Sequence, residues 1–282
     1  MPARGFSLEA TRPSSAELTE LAGLLDKATP IYLSAVPAQS HRELAETAAM
    51  VRKAGFEPVA HLAARRFSSA VELNDFLKRV RGEADMRRLL VIAGDSERPA
   101  GPFSDALAAI ANGALRAAGI EEVGIAGHPE GHARIVQEAI ERALDDKIAA
   151  AAKAGLRVHI VSQFSFQPEA IVAWLKRLRA RGIAAPVKAG MAGPTSLPAL
   201  LRYAKRCGVR ASVQGLMSGA AAALAGHVGP DRIVEALMAA GNDIGDVSPH
   251  YFSFGGIVQT ARYARDTAMG RLAAGRAINH AN

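Results

Sequence analysis

Residues 87–95, Arg-Arg-Leu-Leu-Val-Ile-Ala-Gly-Asp, decide how the chain is read. A short apolar run preceded by two arginines and broken by Gly94-Asp95 has the length and punctuation of a buried strand that ends in a turn. The same pattern recurs on both sides. Upstream lie Phe6–Ala10, Ile31–Val36 and Pro58–Ala63. Downstream lie Val123–Ala126 and Val158–Gln163, then the weaker Pro186–Gly190 and His250–Phe254.

The intervening stretches carry helical patterns with start and stop signals. Ser14-x-x-Glu17, Ser40-x-x-Glu43 and Ser69-x-x-Glu72 each have capping-box spacing, in which a hydroxyl and a carboxylate satisfy orphan amides reciprocally. Glycines at 55, 119, 155, 182 and 208 stand where left-handed C-caps are expected. Strand–helix alternation implies parallel strands joined by helical crossovers. Eight strand candidates point to a closed barrel, so the expected fold is α/β, a single (β/α)8 TIM barrel. Extra helices are expected within Val209–Gly245, before the last strand. No linker or composition shift marks a second domain, and residues 1–282 are read as one domain.

Composition narrows the function classes. The chain has 282 residues, 49% hydrophobic, with 34 Lys plus Arg against 27 Asp plus Glu. The excess of seven positive charges is scattered. Arg177, Arg179 and Arg181 lie on a helix whose apolar stripe is Ile171, Trp174, Leu175 and Leu178, and no basic stretch interleaves with aromatics, so nucleic acid is not expected as a partner. A positive field favours small anionic ligands. The single cysteine, Cys207, excludes an internal disulfide framework and a cysteine-rich zinc site. The N-terminal residues lack a signal-peptide apolar run, and no stretch reaches the roughly 20 apolar residues that span a bilayer. A cytoplasmic protein without membrane association is the expectation. The oligomeric state is left open, a homo-oligomer being one arrangement the sequence allows.

In a barrel, chemistry collects where strands run into their following loops. Glu9, Ser34, His61, Asp95, His128 and Gln163 are polar residues at or just beyond the ends of apolar runs. Gly94 permits close backbone approach to a ring, and Asp95 can polarise a bound group; Gly-Asp also serves simply as a turn and helix cap. Gly127-His128-Pro129-Glu130-Gly131-His132 places two histidines four apart. The proline and glycine make a helix through both improbable, so no metal is expected there. Neutral histidines can hydrogen-bond a cofactor, or the segment is a polar loop that starts a helix from Ala133. Gln163, in Ser162-Gln163-Phe164-Ser165-Phe166, offers both donor and acceptor to the edge of a heterocycle. Glu9 can be a general acid if desolvation raises its pKa, or can be tied up by Arg12. Neither a G-x-G-x-x-G fingerprint nor a P-loop follows the first strand, which leaves a nicotinamide Rossmann domain unsupported.

Taken in order, the first-strand Leu8-Glu9, Ala60-His61-Leu62, Gly94-Asp95, the His-Pro-Glu-Gly-His run and Ser-Gln-Phe-Ser-Phe resemble the methylenetetrahydrofolate reductase family, from Glu9 to about Ala264. The resemblance implies a barrel holding FAD at its strand C-termini, reduced by NADH or NADPH, and a folate substrate passed between its 5,10-methylene and 5-methyl forms. It assigns Glu9 as the acid and Asp95 as the carboxylate beside flavin and pterin. His61, Ala93, Gly94, Asp95, His128 and His132 fall on FAD-contacting positions, and Lys147 matches a lysine at the FAD phosphates. Gln163 matches a pterin-binding glutamine, and Tyr203 an aromatic that stacks on folate or nicotinamide.

Several positions depart from the family pattern. Ala10-Thr11-Arg12-Pro13 replaces Phe-Phe-Pro-Pro, Ala35-Val36 replaces a Thr-Tyr pair, and Ala93 replaces an arginine before Gly94-Asp95. A folate-binding glutamine is missing near Ala199, and an arginine expected after the last strand is Gly256. The resemblance therefore carries flavin chemistry further than substrate identity. Three alternatives stay beside it: the same site run as methyltetrahydrofolate oxidation after a demethylation, a noncatalytic flavin- or pterin-binding partner protein, and a flavin barrel acting on a different pterin or amine.

Overall fold

The structure, a computed structural model, describes residues 5–206 and 230–279. Eight strands close into one parallel barrel in the order β1 to β8. They are β1 (Ser7–Ala10), β2 (Pro30–Leu33), β3 (Glu57–Ala63), β4 (Arg88–Ile92), β5 (Glu122–Gly127), β6 (Arg157–Ser162), β7 (Val187–Ala192) and β8 (Val247–Phe252). The seam between β8 and β1 is parallel like the rest, with Ser7 opposite His250 and Glu9 opposite Phe252.

The helices are α1 (Ser15–Ala22), α2 (His41–Lys53), α3 (Ala70–Ala84), α4 (Ala106–Ala111), α5 (Ala114–Ala117), α6 (Gln137–Lys153), α7 (Pro168–Ala180), α8 (Leu197–Arg206), α9 (Asp231–Ala240) and α10 (Ile257–Asn279). Helix α9 and a short 3-10 turn at Gly241–Ile244 precede β8, as expected of extra helices there. Gly208 and the part of that segment from 209 to 229 lie outside the described residues. Among the described residues, no helix is long and apolar enough to cross a membrane.

Two capping boxes form in full, at Ser14/Glu17 and Ser40/Glu43. The third is one-sided. Ser69 accepts from the Glu72 amide, but the Glu72 carboxylate takes the amide and hydroxyl of Ser68 and pairs with His41 at 2.8 Å. A carboxylate within reach of an imidazole and a free amide has better partners than the cap backbone. The glycines at 55, 119, 155 and 182 all have positive φ. The last strand begins at Val247, three residues before the expected start, because Pro249 interrupts the apolar reading yet sits in register with Ala189 of β7.

The core divides by strand parity. Outward-facing residues such as Leu8, Ile31, Leu62, Val91, Ile125, Ile160 and Met191 pack against the helices in one large apolar cluster. The inner face is different. Tyr32, Val59, Leu90, Ile92 and Val161 form a small apolar cluster inside the barrel. Many other inner positions carry polar residues: Ser7, Glu9, His61, His159, Ser248 and His250 are all buried. Burying so many polar groups is tolerable only if they satisfy one another.

Candidate active site

Because all eight strands run parallel, their C-terminal ends share one mouth, and Glu9, His61, Asp95, His128 and Gln163 all come from that end. Their surroundings differ sharply.

Glu9 and His61 lie inside the barrel. Glu9 Oε1 accepts a hydrogen bond from Ser34 Oγ at 2.7 Å. Its Oε2 lies 3.2 Å from His250 Nε2 and 3.3 Å from His61 Nε2. His250 Nδ1 is in turn 2.9 Å from Ser7 Oγ. The network assigns the tautomer: a neutral His250 carries its proton on Nε2, donates it to Glu9, and accepts from the Ser7 hydroxyl at Nδ1. His61 Nε2 is buried and makes no well-aligned hydrogen bond among the described residues.

Burial alone would raise the Glu9 pKa, as a desolvated general acid requires. The nearby His61 and His250 outweigh it, and the carboxyl is held well below its ordinary value. Arg12, the ion-pair partner weighed from sequence, turns away and donates to the Ala38 carbonyl. Glu9 therefore rests as a carboxylate gripped by two imidazoles and a hydroxyl.

Beside this pocket, Gly94 closes the end of β4 with φ +90°, and a Cβ placed there would stand 3.1 Å from Ala63 Cβ at the end of β3. Glycine thus lets these two strand ends meet. The Ala93 carbonyl accepts from the Arg65 amide at 2.9 Å, joining the two loops. Asp95 is exposed on the loop beyond, whereas Glu9 is buried among Ser34, His61 and His250.

A second cluster forms after β5. The rings of His128 and His132 meet edge to face, with centroids 5.7 Å apart. Burial, reinforced by the charges of Lys147 and His132, lowers His128 to about 4, so it is neutral at physiological pH. Lys147 projects from α6 and is half-buried. It forms no hydrogen bond or ion pair with any described residue, and burial lowers its pKa against the opposing charge of Asp105. The segment Pro129–Val136 is a turn rather than a helix start, and α6 begins at Gln137. Glu130 has a structural task the sequence did not disclose: it accepts from Ser165 Oγ and from the Phe166 amide, tying the loop after β5 to that after β6.

Gln163, just past β6, is half-buried, and its backbone N–H donates to the Gly127 carbonyl. The phenylalanines around it form an aromatic cluster in which Phe164 touches Phe166, Phe252 and Phe254 at centroid distances of 5.0 to 5.5 Å. Tyr203 of α8 stacks on Phe254 at 4.2 Å, nearly parallel. Phe252 is 5.0 Å from the His250 ring, so this cluster runs from Tyr203 down to the Glu9 pocket.

Reading strand ends found Glu9 and His61 but missed their partner His250, which was seen only as the start of an apolar run, and Ser7. A signal was present: Ser7-x-Glu9 and Ser248-x-His250 put polar residues at every second position of a strand, on one face.

A family model described as methylenetetrahydrofolate reductase matches residues 10–218. The match starts one residue after Glu9 and stops before β8. Among solved structures, a dihydropteroate synthase from Thermus thermophilus superposes with a TM-score of 0.51 at 16% identity, covering 96% of each chain. A GH18 chitinase from Pseudoalteromonas aurantia gives a TM-score of 0.55 at 10% identity, covering 94% of this chain and 100% of that one. At such identities the likeness is one of fold.

Proposed function

On the premise that the chain belongs to the methylenetetrahydrofolate reductase family, we propose that it is an FAD-dependent oxidoreductase that interconverts 5,10-methylenetetrahydrofolate and 5-methyltetrahydrofolate, with NADH or NADPH reducing the flavin. The observation that carries the reading is the Glu9 pocket: a buried carboxylate held by His61, His250 and Ser34 at the mouth of a closed parallel barrel.

The residues present fit the cofactor. Lys147, a half-buried ammonium without a partner among the described residues, suits a diphosphate, and the neutral His128 beside it can donate to phosphate or ribose oxygens without adding charge. His61, buried beside Glu9, and Gly94 at the end of β4 would line the flavin ring, as the family resemblance implies. Ala93, Asp95 and His132 complete the proposed FAD set. Bound flavin would take hydride from the nicotinamide in one half of a ping-pong cycle and exchange it with the one-carbon unit in the other.

The protein's own part is proton handling and orientation. Gln163 would read the pterin edge, and Tyr203, already stacked on Phe254, would offer a face to an aromatic ligand. Glu9 would exchange the proton of the folate amine as the one-carbon bridge opens or closes. One observation favours the oxidative direction as a second reading: Glu9 rests ionised, the form that accepts the proton released when methyltetrahydrofolate is oxidised and the bridge closes. In the reductive direction the same carboxylate must first be protonated.

The test begins with the purified protein. The flavin should co-purify or bind on addition, and chromatography of the released cofactor should identify FAD. Anaerobic stopped-flow mixing with NADH, NADPH or methyltetrahydrofolate should then bleach the flavin band. Bound flavin that none of these reduces would identify a noncatalytic partner protein, and a colourless protein indifferent to added flavin would end the proposal.

A further inference from the structure

Beneath Glu9 the barrel interior carries a second polar tier that the proposed reaction does not use. Tyr32 Oη is 2.8 Å from His159 Nε2, His159 Nδ1 is 2.7 Å from Glu122 Oε1, and Arg88 Nε is 3.0 Å from the same oxygen. Lys188 belongs to this tier. It pairs in register with Val161 on one side and Ser248 on the other, while Gly190, two residues further along β7, pairs with His250. Residues two apart on a strand face the same way, so Lys188 lies one pleat below His250 on the inner face.

The charges of the two tiers are unequal. Arg88 is already committed to Glu122, whereas Lys188 makes no ion pair or hydrogen bond with any described residue. Among the described residues of this tier, two cations, Arg88 and Lys188, face the carboxylate of Glu122. Above them sits Glu9, and between Lys188 and Glu9 stands His250. Its surroundings are Ser7 and Glu9 from β1, Tyr32 from β2 with ring centroids 4.8 Å apart, His61 from β3, Lys188 from β7 and Phe252 from its own strand. A proton added to the fully buried His250 would place a second cation one tier above the half-buried Lys188 ammonium, where screening across the barrel interior is weaker than in bulk water.

We propose that Lys188 is a positioning residue for Glu9: its charge, one tier beneath, bars a proton from His250 and keeps that imidazole a neutral donor to Glu9 instead of a competing proton store. The consequence for catalysis rests on the proposed role of Glu9, but the electrostatic coupling is a property of the free protein. Burial first, with Lys188 and His61 adding to it, holds His250 below the usual imidazole value against the opposing pull of Glu9. Burial brings Lys188 itself down to about 8, which leaves it charged at neutral pH.

The coupling is testable without cofactor or substrate. In the full chain, the His250 imidazole is followed by nitrogen-15 NMR during acid titration, its signal assigned by loss in His250→Asn. Lys188→Met should raise the His250 midpoint by roughly one pH unit, as expected for removing a unit charge one tier away. Lys188→Arg, which keeps the charge, should leave the midpoint near that of the parent. Lys188→Gln provides a second neutral variant if the methionine does not fold. A His250 in a folded neutral variant that titrates as in the parent would overturn the inference, as would an equal shift in Lys188→Arg. Loss of FAD binding or folate turnover with the NMR shift intact would instead count against the proposed function alone.

Discussion

Glu9 Oε2 and His250 Nε2 meet at 3.2 Å across the seam that joins the first strand to the last, 241 residues apart in sequence. The contact exists only once the barrel closes, so assembling the fold and setting the ionisation of Glu9 are the same event.

Replacing Glu9 by glutamine preserves shape and hydrogen bonds to Ser34 and His250 but removes the capacity to exchange a proton. The folate half-reaction should slow by about 10²- to 10⁴-fold, the usual contribution of a general acid–base group. Flavin reduction by the nicotinamide should change little. Stopped-flow measurement of the two halves separately checks this, and equal loss in both refutes the proton role.

Lys147→Gln removes an ammonium that has no hydrogen-bond or ion-pair partner among the described residues and whose charge acts on His128. FAD affinity should fall by about ten- to a hundredfold, the range expected when a charge-assisted contact to a phosphate is lost. Quenching of flavin fluorescence on binding reports the dissociation constant. An unchanged value would remove Lys147 from the phosphate site.

The inner tiers should make the fold sensitive to acid. Burial lowers His159 to about 4, and its histidine and arginine partners lower Glu122 to about 2 despite burial. Both groups bind protons more readily unfolded than folded. Their contribution to stability is therefore complete above about pH 6.5, falls as the pH drops towards 4 through His159, and falls further towards 2 through Glu122. Urea unfolding should show a loss on the order of 2–3 kcal/mol between about pH 7 and pH 4.5. A flat profile in that window would show that His159 titrates alike in both states.

Gly190→Ala probes the join between β6 and β7. An added Cβ would come 2.2 Å from the Ser162 carbonyl oxygen and 2.9 Å from that of Gln163, both backbone atoms that cannot rotate away. Stability should drop by about 1–3 kcal/mol or more, as overpacking generally costs, and the Gln163 loop should shift with it. Chemical denaturation of the variant checks the first effect; an unaltered midpoint would mean that the strands part freely.

Much of the architecture was legible locally. Eight short apolar runs, helices with serine caps and glycine stops, and the polar residues at strand ends follow from chemistry within a few residues of each position. Misreadings had equally local causes: Pro249 hid the start of β8, and the Glu72 carboxylate found Ser68 and His41 in place of its own cap.

The linear order of residues is enough to imply parallel strands, one shared mouth and a set of candidate side chains around it, because backbone preference and hydrophobic period act over short range. It cannot say which inward-facing group meets which. That pairing depends on the stagger with which the barrel closes, and the stagger brings Glu9 to His61 and His250, and Tyr32 to His159, across 127 residues in the last case. From sequence Glu9 looked like a desolvated acid; its folded neighbours make it a carboxylate, because electrostatic coupling depends on distance in space and not along the chain.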